Sequence, residues 1–126
     1  MIQPEDFLEF AEGLFNNLKQ ENDCIELRNC ISRAYYYAYH HGMQRFSEDK
    51  RGNHLNTKSP DSHKLLYNFF LEINSRPIAE RLKALRFDRN DADYELDMNF
   101  TKEKARLSIR DAKNLRDRMN RITPQN

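Results

Sequence analysis

The chain has 126 residues, 33% of them charged and 38% apolar, with a formal net charge of +1, three glycines and no tryptophan. That length suits one domain around one core, and the scarcity of turn residues argues against a β-sandwich and for a soluble helical protein. A charge this close to neutral gives no global attraction to nucleic acid or membrane, so any anion-binding surface must be a local patch.

Pro4, followed by Glu5 and Asp6, reads as the first turn of a helix. Phe7, Phe10, Ala11, Leu14 and Leu18 recur at helical spacing, which predicts a first helix running to about Gln20. Asn22 or Asp23 is the expected cap of a second, longer helix with the apolar seam Leu27, Ile31, Ala34 and Ala38, fraying near Ser47. Cys24 and Cys30 fall on that helix, on different faces and roughly 9 Å apart along its axis. They are too far apart for a disulfide and lack zinc-site spacing, so both read as reduced, partly buried thiols. The polar stretch "EDKRGNHLNTKSP" (48–60) is the one obvious loop. Its Lys50, Arg51, His54 and Lys58 read as solvated side chains that add attraction for RNA.

Ser59 and Pro60 form an N-cap and first-turn pair for a third helix carrying Leu65, Leu66, Phe69, Phe70 and Ile73. Asn74 and Ser75 interrupt it, and Pro77 opens a fourth with Ile78, Leu82 and Leu85 along one side. The weak helix formers of "RFDRNDADYEL" (86–96) predict a kink or restart there. Thr101 is the expected cap of the last helix, whose stripe is Ala105, Ile109, Ala112, Leu115, Met119 and Ile122. The expectation is an all-α, single-domain bundle of about five helices with mostly antiparallel up-down packing, over residues 1–122, followed by a tail at 123–126. No apolar run approaches the ~18 residues of a membrane span, and "MIQPEDFLEF" has no basic n-region, so the expected compartment is the cytoplasm.

Chemistry concentrates in "SRAYYYAYHH" (32–41). At about 100° per residue, Arg33, Tyr37, His40 and Gln44 line one side of the second helix, about a third of a turn from its apolar seam. Tyr35 and Tyr39 flank the core, and Tyr36 falls near the opposite side. Two readings stand. The arginine and tyrosines pack and hydrogen-bond between helices, or Arg33 binds a phosphate while His40 exchanges a proton. Their Cα atoms are ~10 Å apart, so both touch one substrate only through the long arginine side chain, or a second copy supplies the partner. Arg89 falls on the apolar side of the fourth helix and needs a partner, for which Asp93 is placed. It is either half of a structural pair or, with Arg86, a guanidinium presented to a phosphate. His63 reads as a first-turn surface residue, with a place in the same pocket as the other option. The basic face of the last helix reads as solvated.

The runs "SRAYYYAYHHG" and "LRFDRNDADYEL", with a final helix bearing Ala105 and Ala112, resemble the HEPN family, small helical bundles of toxin–antitoxin pairs, phage-defence systems and CRISPR effectors. The likeness extends from the first helix to about Ile122. It implies a metal-independent ribonuclease without cofactors, whose active site forms at a homodimer interface from an arginine and a histidine about four to six residues apart. Arg33-x6-His40 has that spacing. In the later segment Asp93 stands near the place where the family has a histidine, so the resemblance also accommodates a degenerate domain that binds RNA, a nucleotide or a nucleotidyltransferase partner without cutting. A purely structural dimerisation domain is the third reading. For a live enzyme the resemblance implies attack by an RNA 2′-hydroxyl on the adjacent phosphate, with His40 handling protons and Arg33 and Arg89 stabilising the phosphate. Tyr37 and Tyr94 orient groups or stack on a base, and Arg86, Asp93 and His63 contact substrate. Tyr94 is also the position nominated for modification by a nucleotidyltransferase-type antitoxin.

Overall fold

In the computed structural model, which describes all residues from Met1 to Asn126, five helices account for the fold: α1 (Pro4–Asn16), α2 (Ile25–Phe46), α3 (Ser62–Glu72), α4 (Arg76–Tyr94) and α5 (Lys102–Asn120). An isolated bridge between Asn22 and Thr101 is the sole β feature. The chain is thus an all-α single-domain bundle, as expected. The central helix is α2, which packs against α1, α4 and α5, while α3 rests mainly on α4. No helix is long and apolar enough to cross a membrane.

The caps explain where the elements begin and end. At the start of α1 the Gln3 backbone N–H donates to Asp6 Oδ2 at 2.8 Å. That helix stops at Asn16 rather than Gln20, because the Asn17 side chain turns back to donate to the Gly13 carbonyl at 2.8 Å. Neither Asn22 nor Asp23 caps α2. Cys24 occupies the N-cap position, and Asp23 instead holds Arg28, with Nε and Nη2 donating to its two oxygens at 2.8 and 3.1 Å. The third helix starts later than "SP" suggests. Ser59 Oγ accepts the Asp61 N–H at 3.2 Å in a preceding turn, and Asp61 is the N-cap. Between α3 and α4, Asn74 takes the left-handed conformation (φ 61°), which an asparagine tolerates. Thr101 caps α5 as expected, its Oγ1 accepting the Lys104 N–H at 3.1 Å.

The predicted break in α4 does not occur. The helix runs unbroken to Tyr94 because Arg28, only 7% exposed, clamps its end from α2. Arg28 Nη1 donates to the carbonyls of Ala92 at 3.1 Å and Glu95 at 3.0 Å, and Nη2 to Met98 at 2.7 Å, while the guanidinium lies 5.0 Å from the Phe100 ring centroid. Orphan carbonyls at a helix C-terminus favour a cation there.

The core is strongly aromatic where α2 meets α3, with Phe46, Phe69 and Phe70 in mutual contact. Gly42 lets α2 approach closely, since a Cβ there would stand 3.1 Å from Leu66 Cδ2. The 48–60 loop is less solvated than its composition suggests. Asp49 is buried and accepts from Arg51 N, Nε and Nη2 at 2.8, 3.0 and 2.9 Å, and from the Gln125 N–H at 2.9 Å. Lys50 N–H donates to the Gln125 carbonyl at 2.6 Å, so the 123–126 tail is docked onto the loop. Cys24 and Cys30 are free thiols.

Candidate functional site

The polar-aromatic face of α2 is turned toward α4 and is centred differently from the expectation. At about 100° per residue, Ser32, Tyr35, Tyr36, Tyr39 and His40 share roughly 140° of the helix circumference. Tyr36, expected to lie apart, is their meeting point. Arg89 Nη2 donates to the Tyr36 hydroxyl, and the Arg89 guanidinium carbon stands 4.9 Å from the ring centroid. The Arg33 guanidinium carbon lies 5.5 Å from the same centroid, and the His40 ring 6.1 Å from it. Arg33, His40 and Arg89, from two helices far apart in sequence, therefore gather on one tyrosine. Asp93 joins them, its Oδ2 lying 3.5 Å from Arg89 Nε and accepting from Ser32 Oγ at 3.2 Å.

Tyr37 and Tyr94 are elsewhere. Tyr37 is fully buried on the other flank of α2, where its hydroxyl accepts from Arg116 Nη1 of α5 at 3.2 Å. At about 100° per residue Tyr37 stands about 100° round α2 from Tyr36, which carries its ring to the α5 side. Tyr94, the last residue of α4, is 71% exposed and lies outside the cluster.

The charged groups of the cluster differ in what they are bonded to. Arg89 donates through Nη2 to Tyr36 and through Nη1 to Asn90, while its Nε lies 3.5 Å from Asp93 Oδ2 and is buried without a hydrogen-bond partner. Arg33 has only its face-on contact with Tyr36 and borders a shallow pocket with Ile2, Asp6, Phe7 and Phe10. His40 is held by stacking alone, 5.0 Å from Phe7 at an interplanar angle of 12° and edge-on to Tyr39 at 4.9 Å. Half-burial pushes its pKa below the ordinary histidine range, which leaves the ring neutral and able to accept a proton. It lines a cleft of about 500 Å³ with Gln3, Phe7, Gln44, Asn56 and Thr57.

His63 is not a simple surface residue. It stacks on Tyr39 at 4.2 Å and Tyr35 at 5.5 Å. The Tyr35 hydroxyl is paired with its Nδ1, and Tyr39 donates to Ser62 Oγ at 2.7 Å. Desolvation, then the positive charges of Arg86 and Arg89 and the neighbouring His40, drive the His63 pKa down to about 4. Burial likewise raises the Tyr35 hydroxyl well above the ordinary tyrosine range, so that hydroxyl keeps its proton. With no other acceptor in reach, Tyr35 donates to Nδ1, which places the histidine's own proton on Nε2. Arg86 is not at Tyr36. It borders, with His63, a separate cleft of about 270 Å³ between α3 and α4.

Tyr35, Tyr36 and Tyr39, passed over as site residues, form the wall between the two histidines. The signal in the sequence was their spacing to Ser32 and His40, which shares one flank of the helix. No group of three or more His, Cys, Asp or Glu side chains converges as a metal ion would require. Compared with family models, curated proteins and solved structures, the chain gives no match.

Proposed function

We propose that the chain is an HEPN-like domain that cleaves RNA as a homodimer in a toxin or defence setting, without drawing on a metal ion. The observation that carries this reading is that Arg33 and His40 lie against one ring, Tyr36, and have no bonded partner within the chain. A neutral imidazole beside an unpaired guanidinium has the equipment for a metal-free phosphodiester transfer. His40 accepts the proton of the RNA 2′-hydroxyl as that oxygen attacks the adjacent phosphorus. The bond from phosphorus to the 5′-oxygen breaks, and the leaving oxygen takes the proton that His40 accepted. The products are a 2′,3′-cyclic phosphate and a 5′-hydroxyl. Arg33 stabilises the crowded phosphorane, and Arg89 fixes Tyr36 beneath it. Ile2 and Phe10, 72% and 54% exposed beside Arg33, form an apolar rim suited to a second copy.

The test is cleavage of single-stranded RNA by the purified protein, with product ends identified and the oligomeric state measured in parallel. Arg33→Ala and His40→Ala are each expected to lower the rate by about 100-fold or more while the dimer persists. Intact RNA with the wild-type protein refutes cleavage, and variants that merely lose the dimer point to a structural interface.

A second reading rests on Asp93. That carboxylate and Tyr36 already occupy Arg89, which suits a degenerate domain that binds RNA or a nucleotide without cutting it. The exposed Tyr94 hydroxyl is open to modification by a nucleotidyltransferase partner. Binding without cleavage, lost in Arg33→Ala, is the outcome that selects this reading.

A further inference from the structure

We infer that the cleft between α3 and α4 is a second binding site, for a nucleoside phosphate unit, on the far side of the tyrosine wall from His40. Three observations carry it. First, the cleft is lined by His63, Lys64, Lys83 and Arg86 and by no carboxylate. Glu80, which accepts from the Tyr67 hydroxyl at 2.8 Å at the edge of the cleft, is also paired with Arg76. Second, these donors are not consumed by the fold. Arg86 makes no ion pair, and its Nε is buried without a hydrogen-bond partner. The Tyr35 hydrogen bond to Nδ1 leaves His63 with its proton on Nε2. Third, flat apolar surface adjoins the cations. Lys83 Nζ lies 5.5 Å from the Tyr67 ring and 5.8 Å from the Phe87 ring, and Phe87 is 56% exposed although it serves no core contact.

Unpaired guanidinium and ammonium groups beside an open aromatic ring match a phosphate joined to a planar base. A cleft of about 270 Å³ sits at the small end of ligand sites and accommodates one such unit, not a longer ligand. The phosphate lies against Arg86, with Lys64 and Lys83 adding charge, and the base stacks on Phe87. The unit is either a free mononucleotide or one residue of an RNA strand. The site uses none of Arg33, His40 or Arg89 and holds whether or not the chain cuts RNA.

The experiment is calorimetric titration of the full chain with adenosine 5′-monophosphate, adenosine, inorganic phosphate and a short single-stranded oligoribonucleotide of non-cleavable 2′-O-methyl residues. Adenosine 5′-monophosphate is expected to bind more tightly than either of its parts. Arg86→Gln should weaken it about tenfold or more, and Phe87→Ala about fivefold or more. Binding of both the nucleotide and the oligonucleotide identifies free nucleotide as a ligand, whereas binding of the oligonucleotide alone, with the same losses, identifies RNA as the source. Phe87 is exposed, so its variant reads the site even where Arg86→Gln disturbs folding. The inference is overturned if neither ligand binds, if binding is unmoved by both variants, or if phosphate alone binds as tightly as the nucleotide. Arg33→Ala, assayed alongside, should lower cleavage by about 100-fold or more and leave the Arg86- and Phe87-dependent nucleotide binding unchanged, which separates this site from the one at Tyr36.

Discussion

Two histidines contact Tyr39, His40 edge-on and His63 by stacking, and both are kept neutral, His40 by burial and His63 by burial together with nearby positive charge. For His63 the consequence for stability has a definite sign. The unfolded chain takes up a proton at the ordinary value of 6.5, whereas the folded site resists until about 4. Between those values the unfolded state binds more protons, so stability falls as pH is lowered from 6.5 to about 4 and levels off below that. Melting temperature followed by circular dichroism should decline through this window. In His63→Gln, whose amide oxygen can still accept from Tyr35, the decline should be visibly shallower; an unchanged slope would refute the assignment. His40 contributes in the same direction. None of this was readable from His63's place behind Ser62. Its environment is made by Tyr35, Tyr39 and Arg86, residues 28, 24 and 23 positions away in the chain. The role of Tyr36 was hidden for the same reason. Viewed on α2 alone its ring faces away from the apolar seam, and only Arg89 of α4 turns that outward face into an interior one.

At the scale of the helices, what was legible was whatever is settled locally. Pro77 at the first turn of α4, Thr101 at the cap of α5 and the apolar stripes of α2 and α5 are decided by neighbours a few residues away. What was not legible was the continuation of α4 through Asn90 and Asp91. Local propensity opposes it, and the counterweight is Arg28, a residue 64 to 70 positions distant from the carbonyls it holds. Removing that guanidinium should be clearly destabilising, because Asp23 and several carbonyls lose their donor together. Arg28→Ala is therefore expected to lower the urea midpoint, and to speed amide exchange in the last turn of α4 more than in α1. Arg28→Lys should recover little, since a single ammonium cannot span acceptors that a planar fork reaches at once. Exchange that rises equally in every helix would count against a local clamp. Because Arg89 and Asp93 sit in the turns Arg28 secures, the same variants should also loosen the Tyr36 cluster.

At the scale of the whole molecule, Asp49 is the fastening that joins the longest connection to the end of the chain. Its carboxylate is buried, collects three donors from Arg51 and takes the Gln125 N–H, so one side chain fixes both the 48–60 loop and the tail. The turn depends on Gly52 as well, where a Cβ would collide with the Phe46 carbonyl. The Arg51 hydrogen bonds hold the Asp49 carboxyl well below the ordinary carboxylate range. Here the unfolded chain protonates first, near 3.8, so the stabilisation is fully present above that pH and is lost as pH falls toward the folded value. This window lies below the one set by His63, and the two can be titrated apart. Asp49→Asn should lower the melting temperature at pH 7, because Arg51 then lacks its charged partner. It should also flatten the fall in stability below pH 3.8 while leaving the His63 slope intact. Limited proteolysis of the same variant should cut first within 48–60 or after Ile122, since those segments lose their shared anchor. If instead the first cuts fall inside α3 or α4, Asp49 supports the bundle as a whole and does not act as a local latch.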